Sequence, residues 1–262
     1  MPTLVLSPRY TSDSKALRAA AGRCGWAAER LGGWRAPAHL RGRDDLALYG
    51  EPTFAEVIAA QLGLSLIDAP QDWLPGLPER HLRRALTRTT LAEARASAGP
   101  PMFVKPADGR KGFEGRVYEA AGLPDERFLP GSTGVLVAEP VVWDVEFRCH
   151  VLAGEIVAMS PYLREGELAL TADGRWHASD EEERAAREYA STLLAEVALP
   201  PAVVVDVGHV RGRGWAVVEA NAAWGAGLYG CDPEIVLRVL ARACAPRESD
   251  AEWIVEPVRL DG

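Results

Sequence analysis

Two short apolar stretches late in the chain, residues 202–210 and 215–221, are joined by a turn over residues 211–214 and read as a β-hairpin. Side chains alternate along a strand. Pairing Val210 with Trp215 therefore sets Asp206 opposite Glu219 and places Val204, Asp206 and Gly208 on one face with Glu219 and Asn221. The other face carries Val203, Val205, Val207, Ala216, Val218 and Ala220. Both faces are apolar apart from one acidic spot, so the hairpin belongs in a sheet covered on both sides. Like charges directly opposite on neighbouring strands destabilise a sheet. At ~5 Å and an effective dielectric near ~20 the repulsion is roughly 3 kcal/mol. A divalent cation would offset it, because Asp, Glu and Asn supply the hard oxygen ligands that suit magnesium. Arginine partners or a protonated carboxylate are the alternatives.

The rest of the chain alternates strand and helix patterns. Residues 3–7 form an apolar strand and residues 12–22 an Ala/Leu-rich helix capped by Ser12, Asp13 or Ser14. Apolar runs at 45–49 and 64–67 flank a helix over 53–62 that Pro52 opens, which suits a small parallel sheet. The first strand-to-helix loop has no dinucleotide-type glycine fingerprint. Three prolines and the acidic Asp72 between 69 and 78 mark a linker. Beyond it, an Arg-rich segment over 79–97 reads as helical, followed by strands over 102–106, 134–140, 143–152 and 155–161, the last two paired across Ala153-Gly154. A capping box from Ser179 to Glu182 starts a helix over 180–197, and Asp232-Pro233-Glu234 starts another that runs to about Ala245.

Charge narrows the function classes. A formal net charge of −8 disfavours a nonspecific nucleic-acid binder, and no apolar run is long enough for a membrane helix. The four cysteines are widely spaced and read as reduced thiols of a cytoplasmic protein, since the opening residues carry no secretory pattern. Of 29 basic residues only Lys15, Lys105 and Lys111 are lysines, leaving 29 − 3 = 26 arginines. Lys105 closes the strand over 102–106, and Lys111 sits in the loop 107–115 with Gly109, Gly112 and Gly115. Compact ammonium charges and free backbone N–H groups in such a loop suit phosphate, although the Walker pattern is absent. Residues 143–152 alternate cleanly, with Glu146, Arg148 and His150 on one face.

Taken in order, these pieces resemble an ATP-grasp enzyme over about residues 86–245. The strand Phe103-Val104-Lys105-Pro106 is similar to the one whose lysine contacts the α- and β-phosphates, and the glycine loop with Lys111 resembles the phosphate lid. Glu139, Val141 and Val142 resemble the adenine hinge, and Glu146 the ribose-binding carboxylate. Asp206, Glu219 and Asn221, spaced thirteen and two apart, resemble the triad that holds two magnesium ions in D-alanine–D-alanine ligase-like members. No lysine fills the family's upstream phosphate position, for which Arg84 or Arg88 would substitute. Val204 stands where an arginine often precedes the metal aspartate, and Arg148 could supply that charge to the transferring phosphoryl group.

The resemblance implies a small N-terminal α/β (pre-ATP-grasp) domain, residues 1–74, followed by an ATP-grasp domain of two α+β subdomains, residues 75–246. The first of these, 75–138, carries the lysine and glycine loop; the second, 139–246, binds metal; residues 247–262 form a tail. It implies an ATP- and magnesium-dependent carboxylate–amine ligase working through an acyl phosphate on small-molecule or peptide substrates. A phosphotransferase or a non-catalytic nucleotide-binding module are the alternatives. Homodimer formation stays open, and the substrate loops fall at 163–176 and 224–229.

Overall fold

The computed structural model describes residues 1–108 and 112–256. It begins with a three-stranded parallel sheet in the order β2-β1-β3, made of β1 (Thr3–Leu6), β2 (Ala27–Arg30) and β3 (Leu46–Tyr49). Helices α1 (Ser12–Arg23) and α2 (Pro52–Leu62) follow β1 and β3. The cap of α1 is Thr11, one residue before the expected candidates, in a reciprocal capping box with Ser14. The third strand is Ala27–Arg30 and not the apolar run 64–67. That run buries Leu66 and Ile67, but its backbone is taken by Ala243, Val255 and a lone bridge to Ile254.

Next come α3 (Glu79–Leu82), β4 (Leu86–Thr90), α4 (Leu91–Ala96), β5 (Met102–Pro106), β6 (Arg116–Tyr118) and β7 (Gly134–Ala138). The strands form an antiparallel sheet in the order β4-β7-β5-β6. The single helix expected over 79–97 is therefore corrected to helix, strand, helix. Arg83 ends α3 with φ 51°, and the β-branched Thr87, Thr89 and Thr90 favour the strand. Thr90 then caps α4 in a box with Glu93.

The third sheet contains β8 (Trp143–Leu152), β9 (Glu155–Arg164), β10 (Glu167–Leu168), β11 (Ala202–Val210) and β12 (Gly214–Asn221), in the antiparallel order β10-β9-β8-β11-β12. Helix α5 (Asp180–Glu196) starts at the predicted Ser179–Glu182 box, and α6 (Pro233–Ala243) at the predicted Asp232 cap. The architecture is thus a small α/β unit followed by two α+β units. Among the described residues no helix is long and apolar enough to cross a membrane.

Three cores hold these layers. One joins the parallel sheet, α1 and α2 to α6, Val204 and Trp224. A second packs α5 onto Phe147, Cys149, Val203, Val205, Val207 and Val217, and includes Leu136 of β7. The third, with Leu91, Val104 and Val135, lies on the far side of the four-stranded sheet. The five-stranded sheet is therefore covered on both faces, as the hairpin pattern requires.

The hairpin register differs in one informative way. Val210 pairs with Gly214, not Trp215, across a tighter turn with Gly212 and Gly214 at positive φ. Val207 then pairs with Val217, and a β-bulge at Val218 restores the Asp206–Glu219 pairing. Val217, not Ala216 and Val218, consequently joins the apolar face. At Gly208 an added Cβ would lie 2.7 Å from the Trp143 ring and 3.1 Å from the Val145 carbonyl. Gly208→Ala is expected to cost ~1–3 kcal/mol by overpacking beside the site, read from the urea midpoint with an unchanged slope.

Candidate active site

One face of the five-stranded sheet carries three registered rows. Leu163, Glu146, Gly208 and Ala216 form the first, and Ser160, Arg148, Asp206 and Glu219 the second. Ala158, His150, Val204 and Asn221 form the third. Acid, base and amide side chains from β8, β11 and β12 thus meet because each occupies the inward position of its strand. Asp206 is fully buried, and the carboxylate of Glu219 lies beside it, partly accessible.

The charges are matched locally. Arg148 donates from Nε to Asp206 Oδ1 at 2.9 Å and from Nη2 to Oδ2 at 2.6 Å, a bidentate pair. Its Nη1 donates to the Gly227 carbonyl at 3.1 Å, and its guanidinium lies 5.1 Å from the Tyr162 ring and 4.7 Å from the Tyr229 ring. The next residue after Gly227 donates its N–H to Asp13 of α1, at 3.1 Å, so the N-terminal unit holds this segment in place. Asn221 Nδ2 donates to Asp206 Oδ2 at 3.1 Å and to Glu219 Oε1 at 3.0 Å. Lys105 reaches Glu219 Oε2 from β5, in the other sheet. Burial raises the Glu219 carboxyl, but Lys105 and Asn221 outweigh it and hold the group at about 2. For Arg148 burial opposes the charge, and Asp206 more than reverses it, so the guanidinium stays ionised.

Glu146 differs from its neighbours. It is buried, accepts from the Tyr162 hydroxyl at 2.8 Å, and is pushed up to about 7, first by burial and further by Asp206 and Glu219. Tyr162 sits at a bulge of β9, where Phe147 pairs with Pro161 and Glu146 with Leu163. That bulge carries no sequence signal, so strand alternation alone does not reveal the contact. His150 is fully buried and, among the described residues, lacks a hydrogen-bond partner on either ring nitrogen, and burial drives it down to about 3. It is a neutral core residue.

The remaining predicted residues fall as follows. Arg88 and Lys105 both pair with Leu136 on β7, which puts the two cations on one face of the four-stranded sheet. Arg88 bonds Gln71 at 2.8 Å and lines a polar cavity of about 290 Å³ with Thr90, Asp108, Ser132 and Gly134. Lys111 lies outside the described residues. Glu139 is partly exposed and held by Arg213, at 2.6 and 2.9 Å, which with the Ala85 N–H lowers its carboxyl to about 2. Val141 and Val142 follow at the surface, and the Val142 carbonyl accepts from Arg211 N–H. Arg84 is not free for a phosphate: its guanidinium is spent on the carbonyls of Leu82, Val217 and Val218.

Among the described residues no group of three or more His, Cys, Asp and Glu side chains is gathered for a metal. The set here is two carboxylates and one amide, and it fits magnesium. A single polar atom, Asn221 Nδ2, lies within 3.1 Å of both carboxylates, so both can address one cation, and all three side chains offer hard oxygens.

Comparison with known proteins identifies the family and the fold. An ATP-grasp domain family, the second family of its clade, matches residues 81–239, well over half of the chain. No curated protein matches the sequence. Among solved structures, the fold is similar to the L-amino acid ligase from Bacillus licheniformis (TM-score 0.58, 15% identity, 98% of this chain and 78% of that one). It is also similar to the D-cycloserine synthetase DcsG (0.55, 16%, 92% and 99%) and to D-alanine–D-alanine ligase from Bacillus anthracis (0.54, 10%, 93% and 97%).

Glu146 makes stability pH-dependent in a defined direction. Its folded value lies above its ordinary 4.5, so its contribution is fully present below pH 4.5 and is lost as pH rises through 7. The stability difference between the natural protein and Glu146→Gln is expected to fall by ~3 kcal/mol across that window in denaturant titrations. A difference that stays flat would mean that Glu146 titrates in the folded protein at its ordinary value.

Proposed function

The chain belongs to this ATP-grasp domain family, and from that membership we propose that it is an ATP-dependent carboxylate–amine ligase working through an acyl phosphate. One observation carries the reading: Lys105, a phosphate-type cation on one sheet, meets the Asp206–Glu219–Asn221 cluster on another. A triphosphate laid between the two sheets would find its counter-charges and its metal ligands in one place.

In this reading Asp206, Glu219 and Asn221 hold magnesium, two ions as the family resemblance implies. Bound there, magnesium would supply charge neutralisation on the β- and γ-phosphates. Lys105 exchanges Glu219 for phosphate oxygens, and Arg88, on the same face, takes the place of the missing upstream lysine as a planar fork. Lys111 contributes from the glycine loop. Glu146 accepts from the ribose hydroxyls. With its carboxylate held by Arg213, Glu139 leaves the adenine amino group to the backbone around Val141 and Val142. Arg148 keeps a fixed positive charge beside the phosphoryl site while it aims Asp206.

The γ-phosphoryl group passes to a substrate carboxylate, giving ADP and an acyl phosphate. An amine attacks that carbonyl, phosphate leaves, and the amine proton is lost to solvent or phosphate. The substrates are small-molecule or peptide carboxylates and amines. The aromatic group Tyr162, Trp176 and Tyr229, beside Arg148, borders the place where they would enter.

The test is ADP release with ATP, magnesium and a panel of amino acids and short peptides, with hydroxylamine present to trap an acyl phosphate as a hydroxamate. Hydroxamate formation is expected, and Glu219→Gln should lower it by more than ~100-fold while circular dichroism is unchanged. ADP with a hydroxylamine-stable phosphorylated product would assign a phosphotransferase. Nucleotide binding without ADP would assign a binding module.

A further inference from the structure

Arg84 is a buried cation with no carboxylate at ion-pair distance among the described residues. Its Nη1 donates to Val217 O at 2.7 Å and Leu82 O at 3.0 Å, and its Nη2 donates to Val218 O at 3.0 Å. The guanidinium carbon lies over the Trp143 ring, 5.0 Å from its centroid. Removing a charge from water to satisfy carbonyls is costly, and the acids nearest in effect, Glu146 and Glu219, act on it only from beyond ion-pair distance. The two carbonyls on β12 are those of the bulge.

The bulge decides which way Glu219 points. From the turn, the register runs Val210–Gly214, His209–Trp215, Gly208–Ala216 and Val207–Val217. Continued unbroken, it would pair Asp206 with Val218 and Val205 with Glu219, turning Glu219 into the apolar core and Asn221 with it. A one-residue slip inverts every side chain beyond it. The extra residue, Val218, prevents this, and Arg84 grips the carbonyls on either side of that insertion from the segment between α3 and β4.

We propose that Arg84 is a positioning residue for metal binding: it holds the β12 bulge and thereby keeps Glu219 and Asn221 on the face of Asp206. The inference rests on the reading of those three residues as magnesium ligands. Among the described residues Arg84 makes no hydrogen bond to those three side chains, and it acts through the backbone of Val217 and Val218. Its fork geometry is the useful property, since two separate carbonyls must be held at once. A lysine, with one ammonium group, would hold them less well.

The experiment is a calorimetric titration of Mn²⁺ into the protein saturated with a non-hydrolysable ATP analogue, beside titration of the analogue itself in EDTA. The natural protein comes first: no Mn²⁺ binding there would sink the functional reading. Given binding, Arg84→Met is expected to weaken Mn²⁺ by roughly 10–100-fold, as loss of a supporting group outside the ligand shell does. Metal-free analogue binding should change little, the thermal midpoint should fall by no more than several degrees as carbonyls lose their donor, and Arg84→Lys should fall between the two proteins. Unchanged Mn²⁺ affinity in Arg84→Met overturns the proposal. So does a parallel loss of Mn²⁺ affinity, analogue affinity and thermal midpoint, or failure of both variants to fold, because each marks a purely structural arginine.

Discussion

Two carboxylates side by side in the interior of a β-sheet set the terms for everything around them. Asp206 and Glu219 face each other on β11 and β12, and each has recruited a cation from a different strand, Arg148 from β8 and Lys105 from β5. Those two cations are not equivalent. Arg148 is bidentate, buried and packed beside two tyrosine rings, so its removal would leave a carboxylate uncompensated in the core, a loss of ~3–5 kcal/mol. Lys105 is partly solvent-accessible and sits on a separate sheet, so its ammonium group can leave Glu219 when a stronger anion arrives. The fixed pair builds the site, and the exchangeable pair makes it usable.

The covering layers follow from this arrangement. A sheet with a charged row at its centre still needs both faces shielded, and the chain does so with α5 on one side and α6 with the N-terminal unit on the other. The N-terminal unit also reaches the charged row directly. Asp13 holds the Leu228 N–H while the Gly227 carbonyl holds Arg148, which links the start of α1 to the most buried ion pair in two hydrogen bonds. A substrate pocket formed there would be walled by parts of the chain that lie more than 200 residues apart.

Much of the site is legible in the sequence because strand alternation is strict. The inward set Glu146, Arg148 and His150 follows from a period of two; the pairing of Asp206 with Glu219 and the shared face with Asn221 follow from it only with the longer turn that the sequence suggests. The turn is one residue tighter than the sequence suggests, and the site pairing survives only because the bulge at Val218 compensates. Nothing in a run of valines marks a bulge, so neither it nor the role of Arg84 can be read in advance. Similarly, arginines between 79 and 97 obscure the strand signal of Thr87, Thr89 and Thr90, and Ala27–Arg30 joins its sheet through backbone pairing with β1, without an apolar pattern of its own. The repulsion between carboxylates is evident from register alone, but its compensation in this structure is cationic, by Arg148 and Lys105, with Asn221 bridging the two acids.

The central claim is that Lys105 is shared between the acidic cluster and a nucleotide. It is tested most directly by a crystal structure with magnesium and a non-hydrolysable ATP analogue. The account predicts Lys105 Nζ on phosphate oxygens, with magnesium held by Asp206, Glu219 and Asn221 in its place, and Arg148 still bidentate on Asp206. A nucleotide bound while Lys105 remains on Glu219 and the three ligands hold no metal would contradict it.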